Sequence, residues 1–189
     1  MWRNILTEPF IIPSLETDRL LLRPFKPEDL GPYAEMVADK EVMQYATYDG
    51  VPMTQTQAWN WLCLMLGHWH MRGFGLWAVE EKNTGSLIGR VGLQFLDWFD
   101  DVELVWMLKQ SAWGKGLAAE GARATINYGL EILELPRVTS VIHKENKPSI
   151  RLAERLGMIL EGEVERKDIL FIVYSYSNEQ HLKNQGKGS

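Results

Sequence analysis

The chain has 189 residues, 46% hydrophobic and 24% charged, enough apolar material for one buried core and far from a disordered composition. Its net charge of −5 and lack of a basic stripe argue against nucleic acid as a partner, and the single cysteine, Cys63, excludes an internal disulfide. No apolar run approaches ~18 residues, and Glu8 and Pro9 interrupt the opening segment, so neither a signal peptide nor a membrane span is expected, and the cytoplasm is the default location.

Residues 1–14 read as an irregular lead-in with Pro9 and Pro13, followed by one domain over 15–180 and a frayed tail over 181–189. Thr17 to Pro24 alternates like a strand that proline ends. Asp29 and Leu30 open a helix with Tyr33, Met36 and Val37 at helical spacing. Thr54 is suited to cap a second helix through Ala58, Leu62, Met65 and Trp69, stopped near Gly73. Phe74–Val79, Leu87–Leu96 and Val102–Leu108 are three consecutive strands with short links, which implies an antiparallel meander. The longest helix runs from about Gly116 to Leu133. A strand over Arg137–His143, a helix over Asn146–Leu156 closed by Gly157, and strands over Met158–Val164 and Ile169–Ser177 complete a mixed α/β order.

The chemistry concentrates in Trp113-Gly114-Lys115-Gly116-Leu117-Ala118, between a strand and a helix. Glycines let another molecule approach the backbone, and a helix N-terminus offers unpaired N–H groups to an anion. The Walker pattern is absent. Gly114, Gly116 and Ala119 formally meet a dinucleotide fingerprint, but the preceding meander and the missing acid at the next strand end do not suit it. His68 and His70 lie two apart on a helix, and His143 and His181 have no partners at metal-site spacing, so no metal is expected. Eight tryptophans are mainly core or interface filler and leave a homodimer open.

Residues 103–158 resemble the acetyl-CoA-binding core of the GNAT superfamily. Gly116 and Ala118 fill the small-residue positions of [RQ]xxGx[GA], Asn146 and Ser149 match N-x-x-[AS], and Leu156-Gly157-Met158 stands where Leu-Gly-Phe is usual. Trp113 replaces the usual Arg or Gln. The opening Thr17-Asp18-Arg19-Leu20, then Leu87-Ile88-Gly89 and Asn146-Lys147-Pro148-Ser149, are similar to the ribosomal-protein-alanine N-acetyltransferase-like branch.

The resemblance implies a single-domain α/β fold: a twisted, mixed, mostly antiparallel sheet with helices on both faces. It implies acetyl transfer from acetyl-CoA to a primary amine, either a protein N-terminal α-amine or a small molecule, by direct attack in a ternary complex. Glu103 would be the base, and Ser149 or a water the proton donor, since Ala153 stands where many members carry tyrosine. The cofactor would be held by Met107 or Leu108 N–H, by the loop Trp113, Gly114, Lys115, Gly116, Leu117 and Ala118, and by Asn146, Ser149 and Arg151. Helix 54–72 and the acidic hairpin near Asp97 would line the acceptor side. Asn146 and Ser149 also suit local capping of their helix. A silent acyl-CoA-binding module and a nicotinamide-dependent enzyme are the alternative readings.

Overall fold

The computed structural model describes residues 11–47 and 49–186; most of the expected lead-in therefore lies outside the described residues. Two short strands, β1 (Leu15–Glu16) and β2 (Leu20–Arg23), precede three helices, α1 (Leu30–Val37), α2 (Lys40–Met43) and α3 (Gln55–Arg72). The meander is β3 (Leu76–Glu81), β4 (Ser86–Leu96) and β5 (Asp101–Leu108). Then come α4 (Leu117–Asn127), β6 (Arg137–His143), α5 (Lys147–Arg155), β7 (Ile159–Arg166), β8 (Ile169–Ser177) and α6 (Asn178–Gln185).

The strands form one eight-stranded sheet in the order β1-β2-β3-β4-β5-β6-β8-β7. Neighbours are antiparallel except β5 and β6, whose parallel ladder has Glu103↔Thr139 as its one register pair. Because side chains alternate across a strand, β5 serves two layers. Leu104 and Leu108 join the core that includes Leu117, Ala122 and Ile126 of α4 and Ala153 of α5. Met107 joins the core beneath α1 and α3, with Tyr33, Ala58, Leu62 and Met65. Helices therefore cover both faces.

Local signals explain most element ends. Thr54 caps α3 by accepting from Gln57 N–H, and Gly73 ends it in the left-handed region at φ 79°. Gly89 is needed for close approach: a Cβ there would overlap the Met107 carbonyl oxygen and lie 2.8 Å from Leu108 Cα.

The structure corrects three expectations. The long helix is α-helical only to Asn127 and continues as a π-turn over Tyr128–Ile132, where Gly129 packs against Leu93 and Val138. The short α2 was not expected; Asp39 starts it by accepting from Glu41 N–H. The residues from 181, expected to be frayed, belong to α6 as far as Gln185. Ser177 and Gln180 cap that helix reciprocally, and His181 pairs with Glu131 at 2.7 Å. The last three residues lie outside the described residues.

Candidate active site

The site begins where β5 and β6 part. After Glu103↔Thr139, side chains replace the backbone ladder: Thr139 Oγ1 donates to Val102 O at 3.2 Å and Ser140 Oγ to Leu104 O at 2.8 Å. Among the described residues, no register pair joins residues 105–108 to β6. On its other side β5 stays paired with β4 throughout, and Lys109 N–H donates to Ile88 O at 2.9 Å. Antiparallel alternation in that register directs the N–H of Met107 to β4 and turns those of Trp106 and Leu108 toward the gap. Of the two expected carbonyl-polarising groups, Leu108 N–H thus faces the cleft and Met107 N–H does not.

The loop after β5 is anchored by Trp113, whose indole N–H donates to Leu108 O at 2.7 Å. The tryptophan thereby satisfies the last inward carbonyl of the strand. Gly114 and Gly116 adopt positive φ, 72° and 77°, and Gly116 caps α4 with no side-chain bond. The N–H groups of Gly114, Lys115, Gly116, Leu117 and Ala118 meet no acceptor among the described residues. Together they leave a row of unmet donors before and at the start of α4, the kind of arrangement that suits an anion, without a Cβ intruding at Gly114.

Arg19, which sequence reasoning passed over as a site residue, holds this loop from outside. Its Nη1 donates to Lys115 O at 2.9 Å, and Glu120 of α4 receives Thr17 Oγ1 at 2.6 Å and Arg19 N–H at 2.8 Å. The shared opening Thr17-Asp18-Arg19 was the available signal, but nothing local pointed to its partner. Lys115 and Arg151 are exposed and form no ion pair among the described residues.

Two polar side chains flank the gap on opposite faces of β5. On the α5 side, Ser149 Oγ accepts the Trp106 indole N–H at 3.1 Å, while Ser149 N–H donates to Asn146 Oδ1 at 3.2 Å. Asn146 is thus the N-cap of α5. On the α3 side, Glu103 is buried. It accepts from Gln94 Nε2 at 2.6 Å and from Val141 N–H at 3.3 Å. Burial raises its carboxyl to about 7, against the opposing effect of those two hydrogen bonds and of the Arg90 charge. Sequence reasoning placed Glu103 beside Asp100 and Asp101 as a solvated alternative; the structure withdraws it from water instead.

Beyond Glu103 lies an aromatic rim. Tyr45 meets His143 with ring centroids 4.9 Å apart, His143 meets Phe171 at 5.9 Å, and Phe171 meets Trp98 at 6.3 Å. The neighbouring acids are partly committed, Asp97 to Arg72 at 3.0 Å and Asp101 to Arg137 at 2.7 Å. His68 is structural: Nε2 accepts from Phe95 N–H at 3.2 Å, so Nδ1 carries the proton given to Phe74 O at 2.6 Å. Burial lowers its pKa, in keeping with that neutral form.

Comparison with known proteins gives the family and the fold. Residues 19–159 match the Acetyltransferase (GNAT) domain, and the chain belongs to that family. An uncharacterised N-acetyltransferase, p20 of Bacillus licheniformis, is 30% identical over 151 residues, spanning 79% of this chain and 84% of its own. The crystal structure of an acetyltransferase from Agrobacterium tumefaciens superposes with a TM-score of 0.78 at 33% identity, covering 90% of this chain and 97% of that one. The ribosomal-protein-S5-alanine acetyltransferase of Vibrio fischeri shares the fold, with a TM-score of 0.70 at 20% identity over 89% of this chain and 98% of that one. No helix among the described residues is long and apolar enough to cross a membrane.

Proposed function

We propose that this GNAT-family chain transfers the acetyl group of acetyl-CoA to a primary amine by direct attack in a ternary complex. The observation that carries the reading is the joining of three features at one gap. These are an unmet row of N–H groups at Gly114–Ala118, a buried carboxyl on one face of β5, and a hydroxyl on the other.

Acetyl-CoA supplies an acetyl group already activated as a thioester. The N–H row at Gly114–Ala118 would hold its pyrophosphate, and Leu108 N–H would donate to the carbonyl oxygen as charge develops there. An alkylammonium has a pKa near ~10.4, so few acceptors are neutral at pH 7 without help. Glu103, titrating at about 7, is matched to accept a proton from the amine. As the N–C bond forms and the C–S bond breaks, the ammonium gives up two protons in all. One leaves through Glu103 to solvent; the other ends on the departing sulfur, with the Ser149 hydroxyl or a water as donor. Asn146 fixes the start of α5 and so the position of Ser149.

Calorimetric titration with acetyl-CoA, beside NAD, tests the first half of the reading; saturable binding of acetyl-CoA alone is expected. Thiol release across a panel of amines tests the second. Binding without any amine-stimulated release would identify a silent acyl-CoA-binding module, and absence of binding by folded protein would overturn both.

A further inference from the structure

Arg90 lies in the middle of β4, across from Ala78 on one side and Met107 on the other, and is only 6% exposed. Neither cross-strand neighbour offers a side-chain oxygen or nitrogen to accept a hydrogen bond. The guanidinium lies over the Trp61 ring at 5.3 Å, and Nη1 contacts Met65 Sδ at 3.7 Å. Nε is enclosed and meets no acceptor, and Arg90 takes part in no ion pair among the described residues. A buried guanidinium with donors unmet is costly to fold around, and a thioether and an indole face compensate only weakly. Methionine or leucine would fill the same space without that cost.

The position of Arg90 supplies the reason for keeping it. Arg90 and Gln94 point to the same face of β4, four residues apart, and Gln94 is the residue that binds Glu103. About 13 Å separates those two backbone positions, and an arginine side chain spans much of it. The charge of Arg90 acts on the Glu103 carboxyl. Trp61 and Met65, which touch Arg90, belong to α3, the helix that would wall the acceptor side.

We propose that Arg90 is the acceptor-recognition residue, pairing through Nη2, which is neither hydrogen-bonded nor enclosed as Nε is among the described residues, with a carboxylate carried by the amine. The assignment rests on the N-acetyltransferase reading above. The acceptor class is then an amino acid or a similar small amine with a carboxylate a few bonds from its nitrogen. A guanidinium satisfies a carboxylate through paired N–H donors, whereas a polyamine brings only positive charge to a site that already holds one.

The test uses the full chain and thiol release. A set of α-, β- and ω-amino acids is compared with the matching carboxamides and with spermidine. At least one amino acid should exceed its carboxamide in kcat/KM by about 10- to 100-fold, as expected for losing a charge-assisted hydrogen bond in a buried site. Arg90→Met should collapse that ratio toward one, and Arg90→Lys should keep part of it. Turnover of carboxamides or spermidine as fast as of any amino acid in the wild-type protein would overturn the proposal while leaving the transferase reading intact. An unchanged ratio in folded Arg90→Met would also overturn it. No release with any amine, despite acetyl-CoA binding, would overturn both.

Discussion

Trp106 donates its indole N–H to the Ser149 hydroxyl at 3.1 Å, on the α5 side of the gap where β5 leaves β6. The bond uses a lone pair of the hydroxyl and leaves its proton available to donate. Ser149→Ala should therefore lower kcat by ~10-fold or more, with little change in the amine KM. Trp106→Phe should lower the same constant by less, because the hydroxyl stays but is no longer held. Steady-state thiol release measures both. Wild-type turnover in Ser149→Ala would assign the proton to water.

Glu103 links activity and stability to pH through one group. As the proposed base, it must be ionised, so wild-type kcat/KM for the amine should rise with pH through about 7. Glu103→Gln should reduce that constant by ~100-fold near neutrality and steepen its dependence on pH, since only the amine then titrates.

The same carboxyl titrates higher in the folded protein, at about 7, than its ordinary value of 4.5. Its protonation therefore contributes stability that is full below the unfolded pKa and is lost as pH rises through 7. The difference is about 3 kcal/mol between pH 4 and 8. Urea unfolding should show Glu103→Gln gaining on wild type by roughly that amount over this interval. A constant difference between the two proteins would show that Glu103 is not desolvated.

Gly116 occupies the left-handed region immediately before α4, where a side chain costs ~1–2 kcal/mol. Gly116→Val should weaken acetyl-CoA binding by ~10-fold or more through displacement of the N–H row. Lys115→Ala, which leaves that backbone alone, should have a smaller effect. Calorimetry on the two variants separates backbone from side-chain anchoring, and an equal loss in both would favour the lysine charge.

Gly89 tests the close approach of β4 to the exit of β5. A methyl group there would press on the Met107 carbonyl and the Leu108 backbone, which cannot yield as a flexible side chain would. Gly89→Ala should cost ~1–3 kcal/mol and should also weaken acetyl-CoA binding, because the Leu108 N–H faces the gap. Thermal unfolding and calorimetry read the two effects separately.

Much of this arrangement is written locally. Thr54 and Gly73 announce α3 because capping involves residues within one turn of each other. The glycines at 114 and 116 announce the row of donors for the same reason, since positive φ is a property of single residues. The partners of Glu103 are less legible. Gln94 lies on the preceding strand and Val141 beyond a whole helix, so only the register brings both to one carboxylate. Trp113 departs from the family pattern in sequence, yet its indole supplies an N–H to the strand end, a function visible only once Leu108 O is in place. The short α2 escaped because four residues give no period to detect.

The bonds from Thr17 and Arg19 to Glu120 cross 103 and 101 residues of sequence. The loop between those partners includes the whole meander, and closing it is slow compared with forming a helix or a hairpin. The brace on the loop before α4 is therefore expected to form after the local hairpins of β3 to β5. During synthesis Arg19 waits for every residue up to Glu120 to emerge, so the brace on the Lys115 carbonyl is a contact that a truncated amino-terminal fragment ending before α4 cannot complete.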